Sequence, residues 1–455
     1  MKATHRMGYL VTLCAVALFG VAETAQAIPE FARKYHTTCA RCHIGFPKLT
    51  TFGKNFRMSG YQQPGDSKTK KIYADEDPNF SLPSSIPFAI QLKSSMSFPE
   101  WVNASDRNSF DFFNEAELLA GGTLAPNMGF FSEISVEDGE AAVKKANAVF
   151  SFLGGQNVFL QVGLLDLMEN GLSNEFSLTD APYSIYDVNV GGFALDHIVG
   201  GIRLFGTVGS TITSDLVKGN PSSGDDGASG DSQNKLVPVN GFAGGQDLQL
   251  GDQGDPYDSM KGMIWEVAIS DGSTEGQSDD PNAPITSSPG VTDYWARVGF
   301  NFDNDSQLGL FGYSGRTIVQ DPNTLAEFEN KFHFYGADLT WQFGKPIKKA
   351  GNNQKPYIFE AAAVTGRADN PTAVVNSTPM DVSGYFAQLG FITGPNDIVT
   401  ARYDRVNSGD NPDWQHESYT FNYTHFLRTN FAIAGEYTRD VNGDDSLGVF
   451  FRFAF

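Results

Sequence analysis

Two cysteines and a histidine are the residues of this chain best placed to do chemistry. Cys39-Ala40-Arg41-Cys42-His43 has the spacing that attaches a c-type haem. Two thiols add to the two vinyl groups on one edge of the porphyrin, and the adjacent imidazole comes under the iron. The third cysteine, Cys14, lies in an apolar N-terminal stretch, so Cys39 and Cys42 are the cysteines of the exported chain. A disulfide or a redox Cys-x-x-Cys is the alternative use of the pair, but the redox motif accompanies a βαβ pattern that this sequence does not show. The reading is therefore one covalent haem c, with Cys39 and Cys42 as thioether positions and His43 as the proximal iron ligand. Met58 is the candidate sixth ligand, because it lies C-terminal to the motif as the distal methionine of many cytochromes does. A plain core methionine beside Phe56 is the other reading of Met58. His36 is a further candidate, but it sits three residues before Cys39 on what the spacing predicts to be the proximal helix.

These residues need elements to hold them. Lys2 and Arg6 precede an apolar run from Leu10 to Ala22, and Ala25-Gln26-Ala27 is a small-x-small cleavage site, so residues 1–27 read as a signal peptide. In residues 28–61 the large apolar side chains Phe31, Phe46, Leu49, Phe52, Phe56 and Met58 recur at roughly helical spacing. A segment this short cannot bury a self-sufficient core. It must lean on its cofactor or on the rest of the protein. Residues 62–85 are polar, charged and proline-containing and read as a linker.

From 86 to 455 the pattern changes to period two. Tyr335, Ala337, Leu339, Trp341 and Phe343 alternate with Gly336, Asp338, Thr340 and Gln342, and Tyr419, Phe421 and Tyr423 with Thr420 and Asn422. Sixteen such segments can be counted, the first at 86–98 and the last at 446–455, among them 145–153 and 306–314. The even number and the strand lengths predict a mostly β chain: a transmembrane antiparallel β-barrel, porin-like, of about 16 strands. Short turns such as Gly394-Pro395-Asn396 then face the periplasm, with both chain ends. The Gly-, Asp- and Ser-rich stretch from Ser210 to Met260 breaks this scheme, reading as an insertion or a missed hairpin. Leu447, Val449, Phe451, Phe453 and Phe455 put five apolar residues on one face of the last strand. So exposed an apolar edge would invite aggregation in a soluble protein.

Charge narrows the partners. Lys plus Arg is 32 and Asp plus Glu is 53, a formal net charge of −21, the wrong sign for a nucleic-acid binder. The segment from Ile28 to Tyr61 is the opposite: Arg33, Lys34, Arg41, Lys48, Lys54 and Arg57 against Glu30 alone. Alternation points Glu115, Glu117, Glu133, Glu266, Asp338, Glu360 and Glu436 into the lumen, with Arg297 and Arg452 as counterweights. An acidic lumen would concentrate divalent cations; equally, these are solvated lumen positions. The expectation is a basic plug in an acidic barrel.

Ile28-Pro29-Glu30-Phe31-Ala32-Arg33 before the Cys39–His43 motif, then Phe46-Pro47-Lys48-Leu49, Phe52-Gly53 and Gly60-Tyr61, resembles the fused monohaem cytochrome–porin proteins of iron-oxidising bacteria. The match is motif-specific over residues 28–61 and architectural over the barrel. The resemblance implies an outer-membrane protein that takes electrons from extracellular Fe(II), or another redox partner, and passes them through its haem to a periplasmic cytochrome or other carrier. Two other functions fit the same residues: electron flow outward to an extracellular acceptor, or a solute-selective porin with a structural or sensory haem. Asp440-Val441-Asn442-Gly443-Asp444 imitates the start of a calcium loop, but its twelfth position is Phe451, so the bidentate glutamate is absent.

Overall fold

Alternating side chains point to opposite faces of a strand, and closing the sheet turns one face into a lumen and the other into a membrane surface. In the computed structural model this closure is complete. The structure describes residues 30–454 apart from 36, 63–71, 74–80, 83–87, 99–108, 126, 138–139, 191, 210–260, 273–284, 288–289, 304, 322–323, 325, 350–351, 372–377, 429, 442 and 444. The expected signal peptide, His36 and the Ser210–Met260 stretch lie outside the described residues.

Sixteen long strands form the barrel. They are β1 Phe88–Ser97, β2 Ser109–Ala125, β3 Met128–Glu137, β4 Glu140–Phe150, β5 Val158–Asp166, β6 Ile198–Val208, β7 Gly262–Ser270 and β8 Asp293–Asp303. Then follow β9 Ser306–Gln320, β10 Glu327–Phe343, β11 Tyr357–Ala368, β12 Met380–Gly394, β13 Asp397–Asn407, β14 His416–Arg428, β15 Phe431–Asp440 and β16 Ser446–Ala454. Each pairs antiparallel with the next, and β16 closes on β1 from Gly448 opposite Ser97 to Ala454 opposite Gln91. Every strand read from alternation is present. Several bounds differ from the pattern, and two of the differences have a visible cause. β4 starts at Glu140 rather than 145, because a register shift opposite Glu133 and Ile134 breaks the period. β9 runs on to Gln320 rather than 314, because Gly312 and Gly315 carry no side chain to show the alternation.

The outer face is apolar. Leu308, Leu310, Leu389, Phe421 and Val399 are exposed there, and two rows of aromatic rings bound the band. Tyr385, Tyr403 and Tyr419 pack ring to ring near one end, and Phe343, Tyr357 and Phe391 near the other. On β12 the rows are six residues apart, about 20 Å along a strand rising about 3.3 Å per residue. Aromatic rows towards both ends are what an outer-membrane barrel presents at its two interfaces. The short β8–β9, β12–β13 and β14–β15 turns lie at the same end as Ala454, which is taken as periplasmic. The described part of the expected linker includes a small ribbon, Ile72–Tyr73 paired with Ser81–Leu82.

Candidate functional site

The N-terminal segment folds as three short helices, α1 Glu30–Tyr35, α2 Cys39–Cys42 and α3 Thr51–Met58, with a ribbon of His43–Gly45 against Lys48–Leu49 between the last two. Helical spacing anticipated the helices but not the ribbon, which turns at Phe46-Pro47 where proline cannot continue a helix. Thr50 caps α3: its hydroxyl accepts from Gly53 N–H at 3.1 Å and donates to Arg41 O at 2.6 Å. Its N–H also donates to Cys42 O at 2.8 Å. Gly53 lies so close that a Cβ there would come 2.2 Å from Cys42 O. The Cys39–Cys42 turn and α3 are therefore built as one unit.

Within that unit Cys39 and Cys42 lie on a single helical turn with no disulfide between them, neither fully buried. Burial, with Cys39 beside it, pushes the Cys42 thiol up to about 12. His43 Nδ1 lies 3.0 Å from Pro47 O. A carbonyl only accepts, so this contact puts the proton on Nδ1 and leaves the Nε2 lone pair available to a metal. Burial pulls His43 down to about 4, which keeps the ring neutral, the form that ligates. Met58 is 3% exposed. It packs with Phe52 and Phe56 of its own helix and with Val149, Phe159 and Phe205 of the barrel wall.

The segment sits inside the periplasmic half of the lumen and is fastened around the wall. Phe31 stacks on Tyr61 at 5.3 Å, and Tyr61 on Phe131 of β3 at 5.1 Å. Glu30 accepts Gly121 N–H at 3.1 Å, Lys34 donates to Thr123 Oγ1 at 3.1 Å, and Thr51 donates to Asp305 at 2.8 Å. Lys48 forms a buried ion pair with Glu360, which also accepts from Gln388 at 3.0 Å. Gly45 presses on Ile398 and Phe426. Arg57 donates to Glu169 O at 2.6 Å and Asn170 Oδ1 at 2.9 Å.

Glu169 and Asn170 belong to a second insert that sequence reading passed over as a plain connection. Residues 167–197, between β5 and β6, fold inward from the extracellular end. Leu172, Tyr183, Tyr186, Val190 and Phe193 enter a buried cluster with the inward side chains Trp295, Tyr313, Phe332, Phe334 and Phe386. Tyr183 lies flat on Phe386, with centroids 3.9 Å apart. Arg402 donates to Thr179 Oγ1, Ala181 O and Pro182 O at 2.5, 2.7 and 2.7 Å. The two inserts meet mid-lumen, where Glu169 is shared by Arg57 at 3.6 Å and Arg203 at 2.6 Å. Only narrow crevices are found at these seams, one beside Phe46, Pro47 and Phe426 and one beside Arg57, Met58 and Arg203.

The seven acidic residues expected in the lumen all point inward, but not as an open acidic channel. Glu360 pairs with Lys48, Glu266 and Asp338 with Arg203 and Arg297, Glu115 and Glu117 with Lys93, and Glu436 accepts the Asp180 and Ala181 amides. Lys145, Arg203 and Arg402 are inward cations that the sequence reading missed. Their strands alternate, so their direction was legible; their partners, far away in sequence, were not.

No family model matches the sequence, and no curated protein does. Similar solved structures are an anion-selective porin from Comamonas acidovorans (11% identity, 81% of this chain and 98% of that one, TM-score 0.47) and Salmonella typhi OmpF in complex with daunomycin (9%, 85% and 100%, TM-score 0.47). OmpT, an outer-membrane protein of Vibrio cholerae, is similar at 9% identity over 82% of this chain and 98% of that one, with a TM-score of 0.46. The likeness is one of strand architecture.

Proposed function

We propose that this outer-membrane barrel carries one covalently attached c-type haem in its N-terminal plug and transfers electrons between extracellular Fe(II) and periplasmic carriers. Cys39 and Cys42 would hold the group through thioethers and His43 through Nε2, with Met58 as the candidate second ligand to the iron. When bound, the haem supplies a one-electron Fe(III)/Fe(II) couple that accepts the electron released as Fe(II) becomes Fe(III). The observation that carries the reading is the His43–Pro47 contact beside two cysteines on one helical turn, since it fixes the tautomer a haem ligand needs. The chain's own residues do the rest. Thr50 and Gly53 lock the turn to α3, Lys48 and Arg57 hold the plug against the wall, and the 167–197 insert excludes water from above. Seating the motif inside the barrel shortens the gap to the cell surface across an apolar band about 25 Å tall.

A solute-selective porin is the second reading. Sixteen strands enclose a lumen wide enough for an aqueous channel, and that architecture favours it; the two inserts and their buried ion pairs weigh against it. The deciding experiment is expression with a cytochrome maturation system, a haem spectrum, and addition of Fe(II) at the organism's pH. Reduction of the haem by Fe(II) supports electron transfer. Absence of reduction, with ready solute flux into liposomes, overturns it in favour of a porin.

A further inference from the structure

The plug segment from Ile28 to Tyr61 carries six cations, and the fold gives five of them a partner. Arg33 donates to Phe88 O, Lys34 to Thr123 Oγ1, and the Arg41 guanidinium lies 4.4 Å from the Phe52 ring centre. Lys48 pairs with Glu360, and Arg57 donates to Glu169 O and Asn170 Oδ1. Lys54 is the exception: among the described residues its ammonium has neither a hydrogen bond nor an ion pair. Two of the charged groups that face it, Lys48 and Arg57, are cations. The other two are carboxylates already engaged, Glu360 by Lys48 and Gln388, and Asp305 by Thr51 and Lys355. Burial, with Lys48 and Arg57 adding to it, pulls the Lys54 ammonium down to about 8. A cation held away from water needs a counter-charge, and the nearby carboxylates of the chain are taken. Its place in the fold is the second observation. Lys54 N–H donates to Thr50 O at 3.0 Å, and Thr50 N–H to Cys42 O. Gly53, the residue before it, is the one pressed against Cys42 O. The base of the Lys54 side chain therefore belongs to the unit that holds Cys39 and Cys42.

We propose that Lys54 is the counter-charge for a propionate of the haem and raises the potential at which the iron accepts an electron. The inference rests on the haem reading above and adds to it a residue that sets the potential. A porphyrin attached through its vinyl edge carries two propionate carboxylates on the opposite edge. Attachment at Cys39 and Cys42 thus brings negative charge to a plug in which Lys54 is the one cation without a partner among the described residues. Pairing gives the ammonium its counter-charge and offsets the like charge of Lys48 and Arg57. The effect on the iron follows in sign. Reduction lowers the charge at the iron by one, which a nearby carboxylate opposes. An ammonium that neutralises the carboxylate favours it, and does so more strongly in a lumen closed to water than in bulk solvent. A chain that takes electrons from Fe(II) needs an acceptor of high potential, and Lys54 supplies part of that rise. Arginine keeps the charge; methionine keeps the length and removes it.

The test uses the full-length mature protein, expressed with a cytochrome maturation system and held in lipid nanodiscs. Midpoint potentials are measured by spectroelectrochemical titration for the wild type, Lys54→Met and Lys54→Arg, and oxidised-minus-reduced infrared spectra are recorded with isotopically labelled propionates. Lys54→Met is expected to lower the reduction equilibrium constant at least tenfold, about 59 mV for a one-electron couple, with Lys54→Arg close to the wild type. The labelled carboxylate bands should move strongly in Lys54→Met and slightly in Lys54→Arg. If Lys54→Met fails to fold, the wild type and Lys54→Arg still decide, because exchanging ammonium for guanidinium shifts a paired propionate and leaves an unpaired one where it was. Equal potentials and unmoved bands, in protein that carries haem, would overturn the proposal and leave the haem reading standing. A wild type purified without covalent haem would overturn both.

Discussion

Lys48→Met tests whether the plug is held by buried charge. The Lys48 and Glu360 side chains are 5% and 0% exposed, so the methionine, similar in length, keeps the packing and leaves a carboxylate stranded in the lumen. Breaking one side of a buried pair costs about 3–5 kcal/mol. The lower end applies, because Lys54 is buried near Glu360 and supplies part of the missing charge. About 3 kcal/mol corresponds to roughly a hundredfold rise in the undocked population. Trypsin acting from the periplasmic face on protein in liposomes reads this directly: Arg57 is buried while the plug is docked, and cleavage tracks the open population when reclosing is fast. Cleavage after Arg57 is expected to accelerate about a hundredfold in Lys48→Met. Adding Glu360→Gln to the same chain removes the stranded charge and should recover most of that factor, a coupling of about 2–3 kcal/mol. Equal cleavage of wild type and Lys48→Met, or no recovery in the double variant, would refute the reasoning.

Gly53→Ala should by helix propensity stabilise α3 by about 1 kcal/mol; the contact with Cys42 O reverses the sign, so faster tryptic cleavage and a lower haem yield are expected. Burial pushes the Glu30 carboxyl up to about 7, so its contribution to docking is full below the ordinary carboxyl range and is lost as pH rises through about 7, by up to about 3 kcal/mol. Hydrogen-exchange protection of α1 should therefore fall between pH 5 and 8, more in the wild type than in Glu30→Gln. Glu169, against the burial that would raise it, is held down to about 2 by Arg57, Lys145 and Arg203 and stays charged throughout. Met58→Leu keeps the packing and removes the thioether: a shifted haem spectrum and potential are expected, and an unchanged spectrum would remove Met58 as a ligand. Arg402→Met takes three hydrogen bonds from the 167–197 insert and should raise solute flux into liposomes at least tenfold.

The strands were legible because a two-residue period survives even where burial is mixed, and all sixteen were found. Helical spacing placed the Cys39–His43 motif on a small helical unit, and the basic bias of residues 28–61 pointed to a lumen of opposite charge. The ribbon at His43–Leu49 was hidden because its formation depends on Phe46-Pro47 and on a wall contributed by Ile398 and Phe426, more than 300 residues away. The 167–197 insert did leave a signal. Leu167, Met168, Leu172, Leu178, Tyr183, Ile185, Tyr186, Val190 and Phe193 are too many apolar residues for a loop meant for water, and period analysis does not see them because they follow neither 2 nor 3.6.

The seam between the two inserts is charged, and this has a mechanical consequence. Glu169 of the upper insert is shared by Arg57 of the plug and Arg203 of the wall, and Asn170 bridges Arg57 to Glu266 at 2.9 and 2.7 Å. Withdrawing either insert strands several buried charges at once, each at a cost of about 3–5 kcal/mol. The plug, the upper insert and β6–β7 are therefore one cooperative unit rather than two independent stoppers. A solute must open that unit to pass, whereas an electron needs only short distances through packed atoms. A resting structure that makes opening expensive while keeping the Cys39–His43 turn inside the barrel is what the proposed electron transfer would use.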